Sequence, residues 1–184
     1  MTVVIRDMHT LTMDSHEQAA HLLHAGFAEH WPDAWPDVDS AMEEVLSLLE
    51  EDCICLAALD EEGEIVGWIG GLPEYDGHVF ELHPLVVQSD QRGQGIGRLL
   101  VLALEDHARQ AGANAIMLGT DDQNEMTSLS GVNLYPNVWE HISNIQNYKN
   151  HPYSFYQKLG YTIVGVIPDA NGPGKPDILM AKSL

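Results

Sequence analysis

Residues 88–108 read QSDQRGQGIGRLLVLALEDHA, three glycines at alternate positions followed at once by an apolar run of helical character. Glycine has no Cβ, so a backbone carrying it at this spacing can turn sharply and come close to a ligand. A helix that starts there presents unpaired N–H groups and the positive end of its dipole, which together favour an anion. The segment therefore predicts a strand–turn–helix unit built to hold a phosphate.

Working outward, HVFELHPLVVQ before the turn reads as a fourth strand, and the helix after it runs to about Ala111. Pro84 cannot donate to a sheet ladder, so this strand is expected to break or bulge there, or else to lie at an edge. Upstream, TVVIRDM is a first strand. Ser15 to Gln18 resembles a capping box that opens a helix to about Gly26. A second helix is expected after Asp39 or Ser40, with Met42, Val45, Leu46 and Leu49 on one face. CICLAALD and EIVGWIGGL form a hairpin of strands two and three. Downstream, NAIMLGT is a fifth strand, and residues 121–150 form an insertion with a helix around Val138 to Asn147. HPYSFYQKL is a short helix, and YTIVGVI and DILMAK are strands six and seven. Without a repeat or linker, the 184 residues predict one domain, 1–184, of mixed α/β or α+β architecture.

The chain carries 28 acidic against 8 basic side chains, a formal charge of −20. Such a surface repels nucleic acid and anionic membranes and attracts cations, though a merely soluble acidic protein has the same composition. The opening MTVVIRDMHT lacks the basic start and apolar run of a signal peptide, and no stretch is long enough to span a membrane. The two cysteines, Cys53 and Cys55, alternate on one face of a strand and fit buried free thiols better than a redox or zinc pair. A bacterial cytoplasmic location is the expectation. His21 and His24 have no third partner nearby and are read as a solvated helix face, and no metal is expected.

Two phosphate motifs fail on the residues. No Lys follows Gly97, which excludes a P-loop, and the GxGxG spacing with no acid near residue 117 excludes a dinucleotide fingerprint. The remaining pattern, Arg92-Gly93-Gln94-Gly95-Ile96-Gly97, fits [QR]xxGx[GA] and resembles the acetyl-coenzyme A site of the GNAT superfamily of N-acetyltransferases. Two further segments resemble the same family: FELHPLVV and Ser154-Phe-Tyr156-Gln-Lys-Leu-Gly-Tyr161. The resemblance implies a mixed, mostly antiparallel sheet of about seven strands flanked by helices and splayed between strands four and five. It also implies that backbone groups of Leu85, Val86 and Val87 pair with the coenzyme's pantetheine arm, that the Leu85 N–H is the oxyanion donor, and that Tyr156 protonates the departing thiolate.

HWPDAWPD near residue 31, LPEYDG near 75, LGTDD from 118, SNIQNYKNHPYSFYQKLGY from 143 and VGVIPDANGPGKPDILMAK from 164 narrow the likeness to aminoglycoside 6'-N-acetyltransferases. Members can lack some of the turn glycines that this chain has. By that resemblance Trp31, Tyr75, Glu81, Asp121 and Asp122 border the cleft for a cationic aminoglycoside, where rings cover sugar faces and acids pair with amines. Trp31 and Tyr75 can equally be packing residues, and Asp121 and Asp122 can cap a helix. Glu81, inside an apolar strand, needs solvent or a partner. Alternation puts Glu81 and His83 on one strand face, where Glu81, His83 or a water accepts the proton of the attacking amine. Direct acyl transfer in a ternary complex is expected, and a homodimer by likeness. Two rivals stand beside it: an acetyltransferase of a polyamine or peptide, and a non-catalytic acetyl-coenzyme A sensor.

Overall fold

The computed structural model describes residues 2–184. Along the chain run β1 (Val4–Asp7), α1 (Met13–Phe27), α2 (Val38–Ser47), β2 (Ile54–Leu59), β3 (Ile65–Glu74), β4 (Val79–Val87) and α3 (Ile96–Gln110). They are followed by β5 (Ala115–Asp121), α4 (Val138–Ser143), α5 (Tyr153–Lys158), β6 (Thr162–Ile167) and β7 (Asp177–Ser183). The seven strands belong to a mixed α/β sheet that is mostly antiparallel. By compactness the chain divides into a unit ending at Ile116, joined by Leu184, and a unit of Met117–Ser183.

In the first unit the strand order is β1-β2-β3-β4, every pair antiparallel. Its core joins Ala19, Ala20 and Leu23 of α1, Ala41 and Val45 of α2 and Leu48 at its C-terminal cap to Cys55, Ala57, Trp68 and Val86 of the sheet. Small residues on α1 let it approach closely, and the buried Trp68 indole donates to the Ala19 carbonyl at 3.0 Å, so the largest core side chain is also satisfied. Leu100, Val101, Leu104 and Ala108 of α3 are buried as well, at helical spacing. In the second unit the order is β5-β7-β6, with β6 and β7 antiparallel.

The break at Pro84 takes the form of a bulge. Ile69 faces Leu85 and Gly71 faces Leu82, so His83 and Pro84 together oppose the single residue Gly70. Gly70 is there because nothing larger fits. A Cβ at that position would run into the His83 carbonyl and stand 2.7 Å from the Leu48 side chain.

Several local expectations shift. α1 starts at Met13, capped by Thr12 without a side-chain bond, so Ser15 lies inside the first turn and forms no capping box. α2 is capped by Asp37, whose carboxylate accepts from the Ser40 N–H at 2.8 Å while the Ser40 hydroxyl accepts from the Asp37 N–H. The capping box is thus real but begins two residues before Asp39, at a position where an acid can meet the third helical N–H. Leu46 points to solvent, because Ala41, Val45 and Leu48 set the buried stripe. α4 stops at Ser143, four residues short of Asn147. Cys53 precedes β2 and is only half-buried, whereas Cys55 is core. His24 is bonded to the Trp35 carbonyl at 2.9 Å and is not a solvated residue like His21.

Gly70→Ala is expected to lower the free energy of unfolding by about 2 kcal/mol or more, because the opposing atom is backbone and cannot rotate away. Urea unfolding measures it; an unchanged midpoint would mean the bulge can open at no cost.

Candidate active site

The glycine turn is the first component. Gly93 and Gly95 have φ of +77° and +89°, and Gly95 occupies the cap position of α3 in the left-handed region. No side chain caps α3 and no acid lies in its first turn, so its leading N–H groups keep their capacity for an anion. Where a Cβ would stand at Gly93 and Gly95 there is nothing within 4 Å, an open approach of the kind a diphosphate needs. Ile96 contributes backbone only, since its side chain is buried. Gln94 donates to the Gln91 side chain at 2.9 Å. Arg92 acts as a strut: Nε donates to the Val87 carbonyl at 3.1 Å and Nη2 to the Gly26 carbonyl at 3.3 Å. This fixes the turn to the end of β4 and to α1, and it takes the Val87 carbonyl for the protein itself.

β4 is the second component. Val79, Glu81, His83, Leu85 and Val87 are half-buried, while Phe80, Leu82, Pro84 and Val86 between them are buried. The bulge reverses the alternation, so Leu85, opposite Ile69, shares a face with Leu82, opposite Gly71, and Glu81 lies on the other face. His83 is held from outside the strand. Its ring lies 5.6 Å from that of Trp35, and its Nε2 is 3.7 Å from Glu44 Oε1 on α2. Phe27 stacks edge-on to Trp35 at 4.7 Å and tilts against Trp31 at 5.7 Å, so a chain of rings runs from Trp31 to His83. The indole nitrogen of Trp31 is buried without a partner. Tyr75 stands apart in the β3–β4 turn, 69% exposed and at φ +51°. Glu44 and Trp35 stand against His83, and the sequence did not single them out. The signal for Glu44 was its place between Ala41, Val45 and Leu48, an acid on a buried helical stripe.

The second unit holds the remaining expected residues. Asp122 is fully buried, and its two carboxylate oxygens accept from the N–H groups of Met126 and Thr127 at 2.8 and 2.7 Å. It staples a loop, with both carboxylate oxygens engaged inside the protein. Asp121 is half-buried and keeps a more open position, with Oδ1 accepting from Asn171 Nδ2 at 2.5 Å. His151 is buried; its Nδ1 accepts from the Tyr153 N–H at 3.2 Å, so Nε2 carries the hydrogen and donates to the Asp121 carbonyl at 3.1 Å. Burial lowers its basicity below the ordinary histidine value. Tyr156, on α5, is buried among Phe155 and Tyr161, and burial pushes its hydroxyl well above the usual range. Among the described residues no group of three or more His, Cys, Asp or Glu could hold a metal ion. No helix there is long and apolar enough to cross a membrane.

Residues 13–129 match the model of the acetyltransferase (GNAT) family. A crystal structure of aminoglycoside 6'-N-acetyltransferase complexed with coenzyme A is 41% identical, covering 98% of this chain and 96% of that one, with a TM-score of 0.89. The aminoglycoside 6'-N-acetyltransferase from Enterococcus faecium is also 41% identical at the same coverage, with a TM-score of 0.88. Human N-acetyltransferase 8B is 32% identical over 96 residues; the match takes in 50% of this chain and only 40% of that protein's length.

The state of His151 sets a pH dependence. The unfolded chain binds its proton at about pH 6.5, whereas the fold resists protonation. The contribution of His151 to stability is therefore complete above that pH and declines as pH falls below it, until the folded group itself titrates. The melting-temperature advantage of the wild type over His151→Gln is expected to be constant above about pH 7.5 and to shrink towards pH 5. A gap that stays level across that range would show that His151 does not titrate this way.

Proposed function

The chain belongs to the GNAT acetyltransferase family, and we propose that it transfers acetyl from acetyl-coenzyme A to the 6'-amine of an aminoglycoside antibiotic. The observation that carries this is the left-handed Gly93–Gly95 turn opening α3 directly after a bulged strand that carries Glu81 and His83. Whole-length likeness to aminoglycoside 6'-N-acetyltransferases supports the choice of acceptor. The charge of −20 favours any polycationic amine.

In this reading Gly93 to Gly97 hold the coenzyme's diphosphate through backbone N–H groups, and Arg92 keeps that turn at the end of β4. Bound there, the coenzyme supplies an activated thioester. Leu85 and Val86 line its arm with backbone groups, and the Leu85 N–H receives the charge that grows on the carbonyl oxygen. The acceptor must lose a proton before its nitrogen has a lone pair to give. Glu81, alone or through water, takes that proton, and His83, steadied by Trp35 and Glu44, is the alternative base. Tyr156 returns a proton to the leaving sulfur. Trp31, Tyr75 and Asp121 contact the aminoglycoside, with Asp121 pairing an ammonium. Antibiotic resistance, a cytoplasmic location, a single domain and a homodimer are parts of the same proposal. The exposed Val164 and Ile167 on β6 suit a contact between copies.

The test is thiol release from acetyl-coenzyme A with neomycin, with paromomycin (its matched 6'-hydroxyl analogue), with spermidine and with a peptide. Release with neomycin alone is the expected result. Release with spermidine or peptide instead would keep the chemistry and discard the antibiotic. Coenzyme binding with no release for any amine would make the chain a sensor. Tyr156→Phe is expected to slow the chemical step about 10- to 100-fold with coenzyme affinity unchanged. Unaltered single-turnover rates in that variant would remove Tyr156 from the reaction.

A further inference from the structure

The loop between β6 and β7, Pro168-Asp-Ala-Asn-Gly-Pro-Gly-Lys-Pro176, has no role in the chemistry above, yet it is bonded more closely than a connection requires. It closes on itself: the Asn171 N–H donates to the Lys175 carbonyl, the Lys175 N–H to Gly172, the Gly172 N–H to Asp169, and the Gly174 N–H to the Asp169 carboxylate at 2.8 Å. It is also fastened to two other segments of its unit. The Gly174 carbonyl accepts from the Gly131 N–H and the Ser130 hydroxyl, and the Pro176 carbonyl accepts from the Asp122 N–H at 2.9 Å. Gly174 is at φ +71°, and a Cβ there would stand 3.1 Å from Gly131.

Asn171 of this turn reaches another segment through its side chain. Asn171 Nδ2 donates to Asp121 Oδ1, while His151 holds the Asp121 backbone carbonyl from the other side. Asp122 next to it is fully used within the protein. Of the two neighbouring acids, Asp121 alone keeps a carboxylate oxygen to offer, and the amide of Asn171 fixes the orientation of that oxygen. We propose that Asn171 is a positioning residue that sets how the Asp121 carboxylate meets an ammonium group of the acceptor. The inference rests on the reading that Asp121 borders the acceptor. A carboxylate held by a neutral donor keeps its charge but loses rotational freedom, so less ordering remains for binding. A Lys or Arg in place of Asn171 would also orient it but would cancel the charge that recruits a cation.

The test uses the full chain with Asn171→Ala, Asp121→Asn, the two combined, and the exchange Asp121→Asn with Asn171→Asp. Steady-state kinetics with neomycin and acetyl-coenzyme A are joined by calorimetric titration of neomycin and by melting temperature. Asn171→Ala is expected to raise the neomycin KM and Kd about tenfold, with kcat and the acetyl-coenzyme A KM within about twofold. The combined variant is expected to be no worse than Asp121→Asn alone, since the two act as one unit. The exchange re-forms a hydrogen bond with donor and acceptor reversed. It is expected to restore melting temperature while leaving neomycin affinity poor.

Full additivity of the two single changes, or an equal rise in the acetyl-coenzyme A KM, would overturn the proposal. So would recovery of neomycin affinity in step with melting temperature in the exchange, which would mark a structural bond only. If Asp121→Asn leaves acceptor affinity untouched, Asp121 is not at the acceptor and the role of Asn171 falls with it. Failure of the aminoglycoside reading looks different: wild-type protein prefers spermidine to neomycin, and the same comparison is then made with spermidine.

Discussion

The close approach of Gly70 to the His83 carbonyl is the constraint on which the first unit depends. With no side chain at Gly70, β3 can face two residues of β4 with one of its own, and Leu48, at the C-terminal cap of α2, can fill the space above. The bulge lies in the middle of the strand that carries Glu81, His83 and Leu85. The same contact seats α2 and so brings Glu44 towards His83. Packing and chemistry therefore share one point. A change that loosened the bulge would move the imidazole, its carboxylate neighbour and the Trp35 ring together.

The acidic composition looks different once the acids are followed individually. Asp37 caps α2, and its bond from the Ser40 N–H holds its carboxyl below the usual range. Asp60 accepts from Glu62 and Glu64 in the β2–β3 turn, Asp169 accepts from Gly174, and Asp122 staples its loop. These carboxylates satisfy backbone N–H groups and would be needed in a protein with any substrate. They still add to the field that draws a cation from a distance, but they do not bind it. Net charge thus speaks to attraction, while recognition is left to the few acids that the fold has not already used.

What could be read from sequence follows the range of the physics. The strand–turn–helix around Gly93 and Gly95 was legible because glycine spacing and helix polarity act within a few residues. The alternating burial along β4 was legible because strand alternation is local, and the Pro84 bulge because proline has no N–H to give. The start of α1 misled because Thr12, which caps through its carbonyl, looks weaker on paper than Ser15 one turn inside. That Met126 and Thr127 fold back on Asp122 was not legible from the residue itself. Glu44, Trp35 and Asn171 depend on contacts between segments far apart in the chain, and residue type alone does not announce such contacts.

The two cysteines bear on how this protein can be handled. Cys55 is sealed in the core between sheet and helices, and burial pushes its thiol up to about 12, so almost none is present as the reactive thiolate at neutral pH. Cys53 is half-buried beside Glu50 and Asp52, and both burial and those acids disfavour its thiolate. A folded chain with such quiet sulfurs adds little background to a colorimetric thiol reagent, so colour that develops during turnover counts released coenzyme rather than enzyme. Once the chain unfolds both sulfurs react, and the same reagent then reports loss of structure.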